Sequence, residues 1–289
     1  MASENTRGGM EGKVALITGG TSGIGRAAAL AAMGAEVVVT GRSKERGEAA
    51  VGGIRETSGN ERVSLMLADL AAQAEVRALA EGFRERHARL DVLVNNAGLI
   101  QSQRTQTPDG LELTIAVNHL APFLLTNQLL DMLKESAPSR IVTVSSEARR
   151  GVSINFEDLQ SMRRYRPFQV YGMTKLANIL FTYELAERLE GTGVVANCLH
   201  PGAVNTNFGN NNRSLGTLIF RAFKPFMRFP EGGADTIIYL ASSPEVEEMT
   251  GRYLMDRKVV SSFEEPHDET TQKRLWEVSE ELTNLKVAS

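Results

Sequence analysis

The sequence predicts an α/β fold, a doubly wound and mostly parallel sheet of about seven strands with helices on both faces. Two observations predict it: short apolar runs alternate with longer helical stretches, and a glycine-rich segment directly follows the first apolar run. Strands that alternate with helices form parallel sheets, and right-handed crossovers place the helices on both faces. No change of composition divides the chain, so we predict a single domain over residues 1–289.

Each run of this pattern corresponds to one predicted element. The apolar runs predict strands at residues 13–18, 36–40, 62–67, 91–95, 140–145, 194–199 and 252–255. The intervening stretches predict a helix from the glycine-rich segment to about residue 33, and helices at residues 44–57, 72–87, 109–133, 168–189, 231–241 and 269–285. Residues 148–167 and 205–230 interrupt the rhythm, and long insertions in compact domains are often functional.

The composition excludes several classes of protein. The net charge of −3 provides no basic field for nucleic acid. The single cysteine, Cys198, allows no intramolecular disulfide, and its place in a predicted buried strand indicates a core residue. Residues 1–12 are polar, unlike a signal peptide, and no apolar run is long enough to predict a transmembrane helix. We therefore expect a cytoplasmic protein.

A glycine-rich loop follows the first predicted strand. Residues 18–25 read Thr-Gly-Gly-Thr-Ser-Gly-Ile-Gly, and an alanine-rich helix comes next. Glycines let the backbone approach a pyrophosphate closely, and a helix N-terminus offers it free N–H groups. The loop thus predicts a Rossmann-type dinucleotide site, although a glycine-rich turn without a ligand would give the same local pattern. The candidate cofactor contacts here are Gly19, Thr21, Ser22, Gly23, Ile24 and Gly25.

Five motifs occur in one order across residues 13–256. They are the spacing G-x-x-x-G-x-G, Asn95-Asn96-Ala97-Gly98, Val144-Ser145-Ser146, Tyr171-x-x-x-Lys175 and Pro201-Gly202. In these motifs the chain resembles the short-chain dehydrogenase/reductase superfamily. Residues 171–181, 186–189, 200–202 and 274–279 resemble its retinol-dehydrogenase-like branch more narrowly. The resemblance implies an NAD(P)-binding oxidoreductase that moves a hydride between a nicotinamide and a carbonyl or alcohol.

The end of the second predicted strand bears on the choice of cofactor. An acid about 20 positions past the glycines binds the ribose 2′-hydroxyl and selects NAD, but Thr40-Gly41-Arg42-Ser43 contains none. Arg42 can instead pair with a 2′-phosphate, so we predict NADP(H) over NAD(H); an exposed loop arginine is the alternative. The resemblance implies further cofactor contacts at Asp69 and Leu70 around the adenine, at Asn96, Ala97 and Gly98, and at Pro201, Gly202, Val204 and Thr206 beside the nicotinamide carboxamide.

Tyr171 and Lys175 lie four residues apart in a predicted helix, so their side chains share one face. The ammonium is expected to lower the pKa of Tyr171, which then serves as general acid or base. Alone, the pair would equally suit a helix surface. The resemblance implies that Ser146, rather than Ser145, positions the carbonyl oxygen. It also implies that Lys175 holds the nicotinamide ribose and that Asn118 holds a water in a proton relay to Lys175.

The two insertions are candidates for the substrate side. Ser146 and Tyr171 are 25 positions apart, as in the retinol-dehydrogenase-like branch. The stretch between them either rims the pocket or packs as a surface excursion, with side chains Phe156, Leu159, Met162 and Tyr165. The second insertion has an apolar and a basic stripe at helical spacing, formed by Leu215, Ile219, Phe223 and Phe226 and by Arg221, Lys224 and Arg228. A basic amphipathic helix of this kind suits a lid over an apolar substrate, a membrane-surface contact, or a subunit contact.

The patterns together predict an NADP-dependent oxidoreductase acting on a bulky apolar carbonyl or alcohol, as a dimer or tetramer. A non-catalytic NADP-binding regulator is an alternative, since fold does not fix function; an intact Ser146, Tyr171 and Lys175 counts against it. An enzyme that reduces a carbon–carbon double bond or epimerises a nucleotide sugar is another alternative. The histidines lack metal-ligand spacing, so no metal is predicted, and we interpret His119 and His200 as structural.

Overall fold

An eight-stranded sheet forms the centre of the computed structural model, which describes residues 9–20, 30–201, 230–262 and 269–285, with the backbone alone at 230–234. The strands are β1 Val14–Ile17, β2 Glu36–Gly41, β3 Val63–Leu67, β4 Val92–Asn95, β5 Ser139–Val144, β6 Val194–His200, β7 Tyr253–Met255 and β8 Lys258–Val259. Their order across the sheet is β3-β2-β1-β4-β5-β6-β7-β8. The pairings from β3 through β7 are parallel, and β8 is antiparallel to β7.

Seven helices lie in the described part of the chain. The first two and last four are α1 Lys44–Ser58, α2 Gln73–Arg86, α4 Leu130–Glu135, α5 Pro167–Arg188, α6 Pro230–Ser242 and α7 Glu269–Thr283. Between α2 and α4, α3 consists of three consecutive segments, Leu113–Ile115, Ala116–Leu120 and Ala121–Gln128. Short 3₁₀ turns occur at Leu30–Met33, Glu147–Arg149, Phe156–Asp158 and Pro244–Val246.

Alternate strand residues face opposite sides of the sheet and build two cores. On one side Ile17 of β1 shares an apolar cluster with Ile237 of α6 and with residues of α1. On the other, Leu16 shares a cluster with Phe83 of α2, Phe181 of α5 and residues of α3, α4 and α7. Helices therefore cover both faces, as predicted, and the doubly wound parallel fold is confirmed.

The sequence does not predict the eighth strand. Asp256 and Arg257 form the turn between β7 and β8, and both have positive φ, 51° and 61°. Two consecutive residues with positive φ suit a tight hairpin turn. Such positions are usually asparagine, aspartate or glycine, so Arg257 is the unusual residue of the pair. Here the Arg257 guanidinium pairs with the Asp235 carboxylate of α6, so a tertiary contact supports a turn that local sequence signals weakly.

The predicted helix over residues 109–133 begins later than expected and is divided. Gly110, with φ of 77°, belongs to a turn. The Glu112 carboxylate caps the helix by accepting hydrogen bonds of 2.9 Å from the backbone N–H groups of Thr114 and Ile115. Ala116–Leu120 then forms a π-helical turn, a rare feature that is frequent at functional sites.

The first insertion packs on the body of the protein. Leu159 is buried in an apolar cluster with Ile115. The Tyr165 hydroxyl lies 3.1 Å from Thr114 Oγ1 and 3.2 Å from Glu112 Oε1. The structure therefore favours a packed surface excursion, while a role at the rim of a pocket stays a prediction.

Residues 205–229 of the second insertion lie outside the described residues, so their three interpretations also stay predictions. The division into a single domain is likewise a prediction. Within the described ranges, no helix has the length and apolar character needed to cross a membrane.

Candidate active site

The carboxyl ends of the parallel strands bring the candidate residues to one edge of the sheet. β1 lies between β2 and β4, so the direction of winding reverses there. Open α/β sheets bind ligands in the crevice outside the strand ends at such a switch point. This edge carries Gly19 and Gly20 after β1, Asn96 after β4, Ser145 after β5 and Pro201 after β6.

Thr18 and Asn96 hold the ends of β1 and β4 together. Thr18 Oγ1 accepts hydrogen bonds from the backbone N–H groups of Asn96 (3.0 Å) and Ala97 (3.1 Å). Asn96 Nδ2 donates in return to the Thr18 carbonyl oxygen at 2.8 Å. These bonds keep Ala97 and Gly98 beside the start of the glycine loop, where the sequence predicts the cofactor.

The position of Gly19 excludes a side chain. Its φ is +67°, and an added Cβ would lie 2.9 Å from the Cα of Ala97. Its N–H donates to Thr40 Oγ1 at 3.3 Å. No side chain fits between Gly19 and the turn that follows β4. The start of the loop therefore offers only backbone here, as close contact with a pyrophosphate group requires.

Arg42 lies just beyond the end of β2. It is exposed and makes no ion pair with another described residue. Ser43 follows it as the N-cap of α1. Because β3 pairs with β2, Asp69 and Leu70 lie at the same sheet edge as Arg42. Asp69 is partly exposed, and Leu70 is buried.

Not all of the predicted contacts can be placed. Thr21, Ser22, Gly23, Ile24, Gly25, Gly202, Val204 and Thr206 lie outside the described residues. Among the residues that are described, no cluster of histidine, cysteine, aspartate and glutamate could hold a metal ion. Cys198 is fully buried, and burial raises the pKa of its thiol to about 12, in keeping with a core residue.

Lys175 reaches from α5 to the end of β5. Its Nζ donates to the Val144 carbonyl oxygen at 3.0 Å, and burial lowers the pKa of Lys175 to about 8. An added Cβ on Gly98 would lie 3.5 Å from this Nζ and 3.4 Å from Asn118 Oδ1, so the glycine keeps the space before the ammonium open. An ammonium has three N–H donors. Val144 takes one of them, and the others suit the hydroxyls of a nicotinamide ribose.

The Tyr171 hydroxyl forms a hydrogen bond with Ser146. The ring of Tyr171 also lies near Lys175, with Nζ 5.6 Å from the ring centroid. Burial raises the pKa of Tyr171 to about 12, and the bond to Ser146 offsets this only in part. The expected net lowering of the Tyr171 pKa is therefore not found in this structure, because the cost of burying the phenolate outweighs the groups that stabilise it. Tyr171 is a protonated acid at neutral pH.

The two serines at the end of β5 make different contacts. Ser145 is buried, and its Oγ donates to the Lys175 carbonyl oxygen at 2.7 Å, which fixes the backbone of α5. Ser146 Oγ accepts from the backbone N–H of Ala148 at 3.2 Å and bonds to Tyr171. The structure thus brings Ser146, and not the Ser145 hydroxyl, to the candidate acid.

Asn118 lies in the π-helical turn of α3 and is fully buried. Its Oδ1 accepts from Leu99 N at 2.8 Å, and its Nδ2 donates to the Leu99 carbonyl oxygen at 2.8 Å and to Thr174 Oγ1 at 3.1 Å. Through these three bonds the Asn118 side chain joins Leu99, in the turn after β4, to Thr174 of α5. The predicted water-holding role of Asn118 stays a prediction.

The packing that holds the turn after Ser146 was not among the features predicted from the sequence. An added Cβ on Gly172 would overlap the Ala148 carbonyl oxygen, so only glycine lets this turn pack so closely on α5. On its other side, the Tyr253 hydroxyl of β7 donates to Glu147 Oε1 at 3.0 Å. The available signals were a glycine directly after Tyr171 and a glutamate directly after Ser146.

Comparison with known families decides the class of the protein. The model of the family described as short chain dehydrogenase matches residues 13–215. The chain belongs to this family. It is therefore an oxidoreductase that uses a nicotinamide dinucleotide.

Individual relatives agree with this assignment. The chain is 44% identical over 295 residues to retinol dehydrogenase 14 of Homo sapiens, covering 96% of this chain and 88% of that protein. A putative uncharacterized protein from Mycobacterium paratuberculosis has a TM-score of 0.76 at 33% identity, covering 95% and 94% of the two chains. A short chain dehydrogenase from Burkholderia cenocepacia J2315 in complex with NADP has a TM-score of 0.68 at 30% identity, covering 85% and 96%. The resemblance to the retinol-dehydrogenase-like branch is confirmed.

Proposed function

We propose that this protein is an NADP(H)-dependent enzyme that interconverts the carbonyl and alcohol forms of a bulky apolar, retinoid-like substrate. The observation that carries the proposal is the convergence of Tyr171, Ser146 and Lys175 at the carboxyl edge of the sheet. A phenol beside a hydroxyl and an ammonium suits proton transfer at a substrate oxygen. A regulator that only bound the dinucleotide would need no such acid.

Tyr171 is the proposed acid in reduction and the proposed base in oxidation. With a pKa of about 12 it is protonated at neutral pH, and it can protonate an oxygen that is becoming an alkoxide. Ser146 donates a hydrogen bond to the same oxygen and holds it in place. The bound nicotinamide supplies or accepts the hydride.

Lys175 has two proposed roles beside this acid. Its ammonium stabilises the phenolate that Tyr171 becomes after giving up its proton. Its pKa of about 8 also lets it return a proton to Tyr171 near neutral pH. The N–H donors that Val144 leaves available bind the ribose hydroxyls of the cofactor.

Arg42 is the proposed determinant of NADP(H) binding. Its guanidinium is exposed at the end of β2, at the same edge as Gly19 and Asp69. A guanidinium binds a 2′-phosphate through charge-assisted, often bidentate hydrogen bonds, and a 2′-hydroxyl offers no such partner. The NADP in the Burkholderia cenocepacia relative supports the same preference.

The substrate class rests on the relatives and on the second insertion. The human relative is a retinol dehydrogenase, whose name indicates a long apolar alcohol. The sequence of residues 215–229, with its apolar and basic stripes, suits a lid over such a molecule. A small polar sugar would gain nothing from an apolar lid.

Cofactor consumption by the purified protein tests the proposal. NADPH and NADH would each be offered with retinal, with short and long straight-chain aldehydes, with a sugar aldehyde and with an α,β-unsaturated ketone. We expect NADPH-dependent reduction of retinal and long aldehydes to alcohols, with Tyr171→Phe from the same preparation as the inactive control. A saturated ketone from the unsaturated one would favour carbon–carbon double-bond reduction instead. Cofactor binding without any turnover would favour the regulator.

A further inference from the structure

His119 is buried where α3, α5 and α7 meet. Its Nδ1 lies 3.3 Å from Asn178 Oδ1 on α5, and its Nε2 lies 2.9 Å from Ser279 Oγ on α7. Phe181 packs edge-on against the ring, with centroids 6.2 Å apart. Asn178 and Ser279 belong to the retinol-dehydrogenase-like motifs noted in the sequence, yet none of the three polar residues takes part in the chemistry proposed above.

The bonding partners determine which ring nitrogen carries the proton. Burial lowers the pKa of His119 to about 4, so the imidazole is neutral and has a single N–H. Asn178 Nδ2 donates to the Val144 carbonyl oxygen at 3.3 Å, which turns the Asn178 oxygen toward His119. Because that oxygen can only accept, Nδ1 carries the proton. The Ser279 hydroxyl has one proton and two acceptors within reach, Nε2 at 2.9 Å and the Leu275 carbonyl oxygen of its own helix at 2.7 Å; with Nδ1 protonated, Nε2 has a free lone pair to accept that proton.

Asn178 links this imidazole to the candidate active site. The Val144 carbonyl oxygen that accepts from Asn178 Nδ2 also accepts from Lys175 Nζ, at 3.0 Å. Held at its oxygen by His119, the Asn178 amide cannot turn away from that carbonyl. A chain of hydrogen bonds thus runs from Ser279 through His119 and Asn178 to the carbonyl oxygen that also accepts from the Lys175 ammonium.

The π-helical turn lets two consecutive residues bond to the same face of α5. Asn118 donates to Thr174, and His119 bonds to Asn178, one helical turn further along. We propose that His119, protonated at Nδ1, is a positioning residue that fixes the Asn178 amide and, through the Val144 carbonyl, the Lys175 ammonium, while tying α7 to the same network. This inference rests on the proposed function, in which Lys175 is catalytic.

Three substitutions of His119 separate positioning from simple packing. His119→Asn places an amide N–H near the position of Nδ1 but does not reach Ser279. His119→Gln can accept from Ser279 but has no donor at Nδ1, and His119→Phe keeps the ring and lacks both. We expect His119→Gln and His119→Phe to lower kcat roughly tenfold to a hundredfold with little change in KM, as a small misplacement of a catalytic group would. His119→Asn should keep most of the wild-type kcat, although we expect its folded state to be about as destabilised as that of His119→Gln.

A matched pair of variants tests the bond between His119 and α7. Ser279→Ala removes the hydroxyl that bonds to Nε2 and should lower kcat by roughly threefold to tenfold, since one neutral hydrogen bond is lost. Thr283→Val removes an equally buried hydroxyl on the same helix, which bonds only to backbone oxygens of α7, and should leave kcat unchanged. Equal kcat values for these two variants would overturn the link to α7.

Two further readouts make the test decisive. Imidazole ¹⁵N chemical shifts, assigned with His119→Phe, should show Nδ1 protonated and Nε2 bare; the reverse tautomer overturns the inference. An active wild type with unchanged kcat in His119→Phe overturns it as well and leaves the proposed function standing. A wild type without turnover on the carbonyl panel removes the proposed function and, with it, the role assigned to His119.

Discussion

The two sides of the candidate active site are built in different ways. On the cofactor side, the protein offers mainly backbone, at Gly19 with its positive φ and at the turn after β4 that hydrogen bonds between Thr18 and Asn96 hold in place. It also offers one exposed positive charge, that of Arg42. On the chemical side, side chains are buried and bonded to one another, and Lys175 and Asn118 are respectively 3% and 0% exposed.

This difference predicts how each side responds to substitution. An exposed charge can be removed without moving its neighbours, so its loss should change the affinity for one cofactor. A buried, hydrogen-bonded group cannot be changed alone, because its partners lose their bonds as well. Substitutions on the chemical side should therefore change turnover more than affinity.

The largest effect is expected for Tyr171→Phe. The ring stays and the ionisable hydroxyl is lost, so kcat should fall by about 10²–10⁴-fold or more, as expected for the loss of a general acid. Cofactor affinity should hardly change. Tyr183→Phe is a matched control, because Tyr183 lies on the same helix and bonds to Ser262. Near-normal turnover of Tyr171→Phe would remove the proposed acid.

The next effect is expected for Gly172→Ala. The added methyl group overlaps the Ala148 carbonyl oxygen and forces the turn after Ser146 away from α5. A displacement of about 1 Å at a catalytic group can cost about 10²-fold in rate. Gly52→Ala is the control, since Gly52 is helical and an added Cβ there meets nothing within 4 Å. Steady-state kinetics in which both variants behave alike would contradict the steric argument.

On the cofactor side, Arg42→Ala should weaken NADPH binding and leave NADH binding nearly unchanged. A hydrogen bond to a charged group contributes about 1.5–3 kcal/mol, so the loss should be roughly 10- to 100-fold in Kd. Arg46→Ala removes an exposed arginine in the first turn of α1 and should change neither constant. If the wild type already binds NADH better, Arg42 does not select the cofactor.

The smallest effect is expected in the stability of the protein at acidic pH. The pKa of His119 is about 4 in the folded protein and 6.5 when exposed, so the unfolded chain takes up the proton first as the pH falls. The stability that a neutral His119 contributes is complete above pH 6.5 and is lost toward pH 4. By linkage, the free energy of unfolding should be about 2 kcal/mol lower at pH 5 than at pH 7 from this group alone. The free energy of unfolding of His119→Phe, measured with urea, should therefore decrease less than that of the wild type between pH 7 and pH 5.

Much of the fold follows from pattern alone. Six strands are buried on most of both faces and appear as apolar runs, and the half-exposed edge strand β3 still contains a short apolar run, so seven strands could be located from sequence. β8 could not, because the Asp256–Arg257 turn depends on a contact with Asp235 in another element. The start of α3 was misplaced because Gly110 and the Glu112 cap outweigh the helical periodicity before them.

The candidate site was predictable where spacing fixes geometry. Tyr171 and Lys175 share a helix face, and Ser146 follows β5, so their meeting could be expected. Their pKa values could not, because desolvation depends on residues from several distant elements. The requirement for glycine at position 172 likewise arises only when Ala148 packs against it.

The place of β1 between β2 and β4 has a consequence for how the protein is made. Thr18 and Asn96, whose bonds join β1 to β4, are separated by 78 residues. At the usual rate of synthesis, about 5–20 residues per second, that interval lasts roughly 4–16 s. During it, β1 has at most one neighbour and exposes an unpaired edge of the kind that associates with other chains. The strand that creates the switch point is thus the one that waits longest during synthesis for its second neighbour.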